Sequence, residues 1–186
     1  MTPLAISAAS IAFNPIFWNV VARAEHKLKL MTRILGPYNG CYLLALTIFS
    51  LGLIRDHFYL EALKVAPTSP LLLSLPHKAI GAVFFGLGNL LVVSSMWALG
   101  VTGTYLGDYF GILMKDRVTS FPFNVTDNPM YYGSVLSFVG TAFWYAKPLG
   151  FVLSAEVLIM YVIALRFEEP YTAAIYAKRD RDQKKK

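Results

Sequence analysis

The chain has 186 residues, of which 56% are hydrophobic and only 15% are charged. A soluble domain averages roughly 45–50% apolar and about 25% charged residues, so the composition predicts one membrane-embedded domain and excludes a disordered chain. The 17 lysines and arginines outnumber the 11 acidic residues, but they flank apolar runs, which argues against nucleic acid as a partner. One cysteine and three widely spaced histidines exclude a disulfide framework and a metal site.

Uncharged stretches mark the candidate membrane spans, because about 20 apolar residues in a helix cross a hydrocarbon core of roughly 30 Å. Three such stretches occupy residues 2–22, 34–54 and 79–107. The first contains the pair Asn14-Pro15, which would leave backbone groups unpaired in lipid. We therefore expect this segment either to re-enter the membrane or to lie against other helices.

Two further hydrophobic stretches, residues 128–146 and 149–165, follow each other closely and predict a helical hairpin. The corner at residues 148–150, Pro-Leu-Gly, is the candidate turn. The second stretch contains Glu156, which we expect to be a buried polar link. The predicted fold is an all-α integral membrane protein with four to five hydrophobic helices and a C-terminal helical hairpin, formed by residues 1–186 as a single domain.

Lysine and arginine positions predict the orientation, since these residues accumulate on the cytosolic side. A five-pass topology with a cytosolic C-terminus places all but four of the 17 basic residues inside. The four outside are Arg55, Lys64, Lys78 and Lys147. The loop 108–127 and the basic tail 178–186 then share the cytosolic face, where side chains near Asp108, Asn128 and Glu168 are expected to meet.

Residues 100–111 form the first polar cluster, with four glycines that allow the backbone to approach a ligand. The cluster also holds the carboxylate of Asp108 and the aromatic faces of Tyr105 and Tyr109. A flexible helix exit capped by the aspartate is the alternative interpretation. A second cluster, residues 121–133, predicts a helix that begins at Pro129 and presents free N–H groups to an anion.

The third cluster, residues 166–171, holds the acidic pair Glu168 and Glu169. Adjacent residues point about 100° apart on a helix, so one carboxylate can face the bundle interior while the other meets water. Acidic groups so close to hydrocarbon are costly unless a cation uses them. A solvated acidic helix end is the alternative. The pair Gly86 and Gly88, in the third apolar stretch, favours close helix packing when taken alone.

Together these residues resemble the eukaryotic phospholipid N-methyltransferases, which methylate phosphatidylethanolamine and phosphatidyl-N-methylethanolamine on the way to phosphatidylcholine. The resemblance covers most of the chain. It rests on five strings, at residues 13–23, 100–111, 117–124, 128–131 and 168–171.

The resemblance implies S-adenosylmethionine as the cofactor. The family's proposed motifs for it are a Gly-x-Gly in a membrane helix and a paired glutamate near the C-terminus, which correspond here to Gly86, Gly88, Glu168 and Glu169. Tyr131 is expected to join them, because a sulfonium cation is attracted to carboxylates and to aromatic faces. In the five-pass topology the two glycines lie far from the cytosolic clusters, so helix packing is their alternative role.

The implied reaction moves a methyl group from the sulfonium to a lipid amine. Tyr105 and Tyr109 are predicted to face the methylated headgroup through cation–π contacts. An ammonium cannot attack before it loses a proton, and Asp108 is the predicted proton acceptor, with a water chain or the lipid phosphate as the alternatives. No metal is expected. The implied acceptors are phosphatidyl-N-methylethanolamine and the dimethyl lipid, with phosphatidylethanolamine as a further acceptor.

The resemblance also implies a multi-pass protein of the endoplasmic reticulum membrane, with a mitochondrial membrane as the alternative. Two competing functions stay open at this point. One is a membrane methyltransferase for another acceptor, such as a prenylcysteine carboxylate, which would need a basic pocket. The other is a non-enzymatic membrane scaffold, for which the polar clusters would tolerate alanine. The sequence does not indicate the oligomeric state.

Overall fold

A computed structural model describes residues 2–184, and its helices follow the apolar runs of the sequence. No strand occurs in this range, so the all-α prediction is confirmed. Four helices are long and apolar enough to cross a membrane: α1, α3, α5 and α7. The helices are α1 (Pro3–Leu28), α2 (Leu30–Leu35), α3 (Pro37–Val65), α4 (Pro70–Leu73), α5 (His77–Thr104), α6 (Pro129–Trp144) and α7 (Pro148–Gln183), with a 3₁₀ turn at Gly107–Phe110 between α5 and α6.

The N-terminal segment is one continuous helix, α1, that runs through Pro15. The amide of Asn19 donates a hydrogen bond of 3.1 Å to the carbonyl of Pro15, which gives this part of the helix a side-chain partner. α1 packs against α3 and α7. Of the two expectations for this segment, a helix against other helices is correct and the re-entrant loop is wrong.

Small residues bring α5 and α6 into the closest contact of the fold. A Cβ atom added at Gly88 would lie 2.5 Å from the carbonyl oxygen of Gly133, and one at Gly81 would lie 2.7 Å from that of Gly140. The two glycines on each helix are seven residues apart, so they lie on one face. The helix backbones therefore touch at two levels, as is common for small residues in membrane helices.

The predicted C-terminal hairpin is present as α6 and α7, which pack together. The turn between them occupies residues 145–147 instead of the predicted corner at 148–150, because Pro148 takes the first position of α7, where a missing N–H costs nothing. Glu156 is half-buried on α7 with no hydrogen-bond partner among the described residues, so the expected polar link is absent. The basic tail is helical through Gln183; Lys185 and Lys186 lie outside the described residues.

The sequence predicts an outer loop for Arg55. The structure places it within α3, which continues ten residues beyond it to Val65. The segment after α5 also departs from a simple loop. Gly100 breaks the helical conformation with φ of 65° and ψ of 178°. The following 3₁₀ turn is anchored by Tyr109 and Phe110, which are buried against α1 and α3. This anchoring directs Asp108 toward α7.

Candidate functional site

A cavity of about 640 Å³ lies among α1, α3, α5, α6 and α7. Its volume is within the range of small-molecule sites, roughly 300–1,000 Å³. One end of the cavity, which we call the acidic end, is lined by side chains from four elements that are far apart in the sequence. They are Asp108 of the 3₁₀ turn, Asn128 and Tyr131 at the start of α6, Glu168 and Thr172 of α7, and Trp18 of α1.

Glu168 is the most enclosed carboxylate of the acidic end, with 9% of its surface exposed. Its Oε1 accepts hydrogen bonds from the indole N–H of Trp18 and, at 2.8 Å, from the amide of Asn19. Its Oε2 accepts one from the hydroxyl of Tyr131 at 2.5 Å. All three donors are neutral. They orient the carboxylate and leave its negative charge uncompensated.

The carboxylate of Asp108, like that of Glu168, is bonded to a neutral donor. Its Oδ2 accepts a hydrogen bond of 2.9 Å from the hydroxyl of Thr172, which is also neutral. Among residues 2–184 the ion pairs join Arg55 to Asp56, Lys64 to Glu61, Arg117 to Asp127 and Arg179 to Asp180. Neither Glu168 nor Asp108 takes part in them. Two unpaired carboxylates on one membrane-embedded cavity are costly in isolation, and a cationic ligand would remove that cost.

Three aromatic rings line the same cavity as Glu168: Trp18 and Tyr131, which bond to its carboxylate, and Tyr161, which packs on both. We call them the aromatic trio. Their ring centroids are 6.4 Å apart between Trp18 and Tyr131, 6.1 Å between Trp18 and Tyr161, and 4.9 Å between the two tyrosines. Aromatic faces beside a carboxylate attract sulfonium and methylated ammonium groups by cation–π and Coulomb interactions.

The rest of the cavity is mainly apolar and reaches the protein surface between α3 and α5. Phe49 and Leu53 of α3 and Phe85 of α5 line it, yet each of these residues is 50–56% exposed. From Phe85 to Gly103 the lining residues of α5 recur at three- and four-residue steps, a distance of about 27 Å along the helix. We call this part the apolar groove. It opens at an exposed apolar surface of α3 and α5.

The predicted site residues fall into two groups. Asp108, Tyr105, Tyr131 and Glu168 line the cavity, and the expected meeting of Asp108, Asn128 and Glu168 is confirmed. The prediction that adjacent carboxylates diverge is also confirmed, because Glu169 is exposed outside the cavity, where it accepts a hydrogen bond of 3.0 Å from the Asn128 amide. This amide therefore does not cap α6, although α6 begins at Pro129 as predicted.

Tyr109, Gly86 and Gly88 are placed away from the cavity lining. The ring of Tyr109 stacks on that of Tyr171 at 5.1 Å, within the buried cluster beneath α1 and α3. Gly88 is enclosed by α6, whereas Gly86 faces open space on the other side of α5. The packing alternative thus describes Gly88 well. Ligand roles for these three residues and for Glu169 stay predictions, and we do not carry them into the proposed site.

Four residues at the cavity or bonded to Glu168 were not predicted from the sequence: Trp18, Asn19, Tyr161 and Thr172. Helical spacing was the available signal on α7, because Tyr161 lies seven residues before Glu168 and Thr172 four residues after it, which puts all three on one face. Asn19 was conspicuous as a polar residue within an apolar stretch. Nothing in the sequence alone pairs it with Glu168, which is 149 positions away.

The fold is that of a multi-pass membrane protein with a cavity that is acidic at one end and mainly apolar along the rest. The chain matches the phospholipid methyltransferase family over residues 76–179, and it belongs to that family. Membership supports an enzyme over the scaffold alternative.

The relatives are similar over nearly their whole lengths. The phosphatidyl-N-methylethanolamine N-methyltransferase of Neurospora crassa is 58% identical over 99% of this chain and 87% of its own, and that of Saccharomyces cerevisiae is 59% identical over 92% and 84%. The human phosphatidylethanolamine N-methyltransferase is 47% identical over 91% of this chain and 86% of its own. No solved structure matches the chain.

Proposed function

We propose that the protein transfers a methyl group from S-adenosylmethionine to the amine of phosphatidyl-N-methylethanolamine and then of the dimethyl lipid, which gives phosphatidylcholine, and that phosphatidylethanolamine is a further acceptor. The observation that carries this proposal is the acidic end, where Glu168 and Asp108 line one cavity and neither forms an ion pair with a lysine or arginine of the described residues. Donor and acceptor are both cationic at rest, so they complement these charges. The names of the relatives support the choice of acceptor.

The residues of the acidic end fit the cofactor. When bound, S-adenosylmethionine supplies an electrophilic methyl group on a sulfonium cation. Glu168 provides the opposite charge, and the hydrogen bonds from Trp18, Asn19 and Tyr131 fix the direction of its carboxylate. The aromatic trio contributes ring faces that tolerate a cation and exclude water. We assign Glu168 and Tyr131 to cofactor binding, with Trp18 as a further contact.

Asp108 is the proposed proton acceptor. The lipid ammonium must lose a proton before its nitrogen can attack, and a carboxylate within the same cavity can take that proton at Oδ1 while Oδ2 stays bonded to Thr172. Tyr105, which also lines the cavity, presents an aromatic side chain to the headgroup. Holding the donor and the acceptor in line supplies much of the remaining acceleration.

The apolar groove accounts for the lipid. Phe49, Leu53 and Phe85 are exposed at its opening, so acyl chains can lie between α3 and α5 while the headgroup reaches the acidic end. We propose that residues 1–186 act as one membrane-embedded domain of the endoplasmic reticulum, with the C-terminal tail 178–186 in the cytosol. Anionic lipid headgroups would then attract this basic tail.

Methyl transfer by the purified protein in lipid micelles tests the proposal. Labelled S-adenosylmethionine is offered with phosphatidylethanolamine, its monomethyl derivative or its dimethyl derivative. We expect label in phosphatidylcholine from both methylated lipids and slower transfer to the unmethylated one. The variant Asp108→Asn is the internal check, since it should retain cofactor binding and lose transfer. Cofactor binding without transfer to any of the three lipids would contradict the proposed acceptor.

A further inference from the structure

Arg55 is a largely buried charged residue of α3, a helix long and apolar enough to cross a membrane, that the mechanism above does not use. Its side chain is 11% exposed and lines the same cavity as Glu168. Among the lining residues of the described chain, it is the only lysine or arginine, whereas four are acidic. Ionisable residues buried in a membrane domain are rare and usually functional, so this single cation needs an explanation.

The surroundings of Arg55 hold its guanidinium in one position. Nε and Nη2 donate to Oδ1 of Asp56 at 3.0 and 2.8 Å, and Nη1 donates to the hydroxyl of Tyr161 at 2.6 Å. The group also lies 4.9 Å from the centre of the Phe138 ring. A guanidinium has five N–H donors, and these contacts use three of them. Two N–H groups are left for a ligand in the cavity.

Arg55 and Glu168 lie at different levels along α7, because Arg55 is bonded to Tyr161. Tyr161 and Glu168 are seven residues apart on α7, about 10 Å along the helix. An ethanolamine phosphodiester carries its phosphate and its amine on a short link, so one headgroup can place an anion at the level of Arg55 and a cation at the level of Glu168. Arg55 also lines the cavity close to Leu53 of the apolar groove, where the acyl chains would begin.

We propose that Arg55 is the phosphate-binding residue of this cavity: its guanidinium binds the phosphodiester of the lipid substrate and so directs the amine toward Glu168 and Asp108. The inference rests on the proposed function and deepens it. Asp56 and Tyr161 are positioning residues, since they hold the guanidinium in place. Arginine suits this task because its planar fork matches the oxygens of a phosphate, which the point charge of a lysine does not.

Competition experiments on the unmodified protein test the inference. Methylation of phosphatidyl-N-methylethanolamine is measured in the presence of phosphatidylmethanol, which has the phosphodiester and no amine, of diacylglycerol, which has neither, or of inorganic phosphate. We expect phosphatidylmethanol to compete with the lipid substrate at least tenfold better than diacylglycerol, and inorganic phosphate to have no effect. Equal competition by phosphatidylmethanol and diacylglycerol, or competition by inorganic phosphate as strong as that by phosphatidylmethanol, would overturn it.

Variants at Arg55 then locate the effect. In Arg55→Gln we expect the preference for phosphatidylmethanol over diacylglycerol to disappear and KM for the lipid to rise about 10- to 100-fold, with the affinity for S-adenosylmethionine unchanged. Arg55→Lys keeps the charge, so it should recover part of the preference. The matched control Lys64→Gln removes a positive charge from an exposed position of the same helix and should behave as the unmodified protein.

The two proposals fail in different ways. If the unmodified protein methylates none of the lipids, the proposed function fails. If it methylates phosphatidyl-N-methylethanolamine and Arg55→Gln keeps both KM and the preference for phosphatidylmethanol, the role of Arg55 alone is wrong. Cofactor affinity reports folding of each variant independently, because Glu168 is left intact. The competition with the unmodified protein decides the phosphate inference even if Arg55→Gln does not fold.

Discussion

The variant Glu168→Gln isolates the charge of the central carboxylate. Glutamine has nearly the shape of glutamate, and its Oε1 can still accept the hydrogen bonds of Trp18 and Asn19. Its amide group meets the hydroxyl of Tyr131, which can rotate and accept. The helix packing around residue 168 should therefore survive, and the variant should unfold at a temperature close to that of the unmodified protein.

The affinity for the cofactor, in contrast, should fall, because the variant removes the negative charge that attracts its sulfonium. Two unit charges about 4 Å apart interact by about 4 kcal/mol at the effective dielectric constant of 20 that describes protein sites. The dipole of the glutamine amide still attracts the sulfonium to some extent, so we expect the binding free energy to weaken by roughly 2–4 kcal/mol. Since about 1.4 kcal/mol corresponds to a tenfold change, the affinity for S-adenosylmethionine should fall about 30- to 700-fold.

Equilibrium binding of labelled S-adenosylmethionine to the purified variants in detergent measures this loss. Glu156→Gln is the matched control, because it removes a carboxylate from the same helix at a half-buried position outside the cavity lining. It should bind the cofactor normally. Glu169→Gln should change affinity by less than about tenfold, since that carboxylate is exposed. Normal binding by Glu168→Gln, or a larger loss in Glu169→Gln, would refute the assignment.

Three further predictions follow from the same contacts. Gly88→Ala should lower the thermal stability in detergent by about 1–3 kcal/mol, because its Cβ would strike α6, whereas Gly86→Ala, which faces open space, should be neutral or slightly stabilising. Asp108→Asn should lower kcat by about 10²- to 10⁴-fold in the methylation assay with little change in cofactor affinity, and a lower affinity instead would make Asp108 a binding residue. Arg117→Gln breaks the ion pair with Asp127, whose two side chains are 78–80% exposed, so the free energy of unfolding measured in detergent should fall by less than about 1 kcal/mol.

The membrane-spanning elements were largely predictable because length and hydrophobicity decide them. The apolar runs gave four long helices and a C-terminal hairpin, and Pro129 marked the start of α6 as expected. Boundaries set by packing were not predictable. α3 extends ten residues past Arg55 because Tyr59 and Leu63 are buried against α6 and α7, which an uncharged-residue count cannot register.

The candidate site shows the same division. The acidic pair predicted that one carboxylate can face the bundle interior while the other meets water, and the structure places Glu168 inside and Glu169 outside. The aromatic residues near Glu168 were harder to predict from the sequence. Tyr109, which was predicted, packs on Tyr171, and Trp18, which was not, reaches Glu168 with its indole from the other end of the chain. Contacts between distant helices depend on tertiary packing that local spacing does not encode.

The central claim is that methyl donor and lipid amine meet at the acidic end of the cavity. An experimental structure of the protein with phosphatidyl-N-methylethanolamine and a cofactor analogue that carries an amine in place of the sulfonium tests this most directly. The account predicts the cationic atom of the analogue within about 4 Å of the Glu168 carboxylate, with the lipid amine beside Asp108. Density for the analogue on the exposed face of α5 around Gly86, away from Glu168, would contradict it.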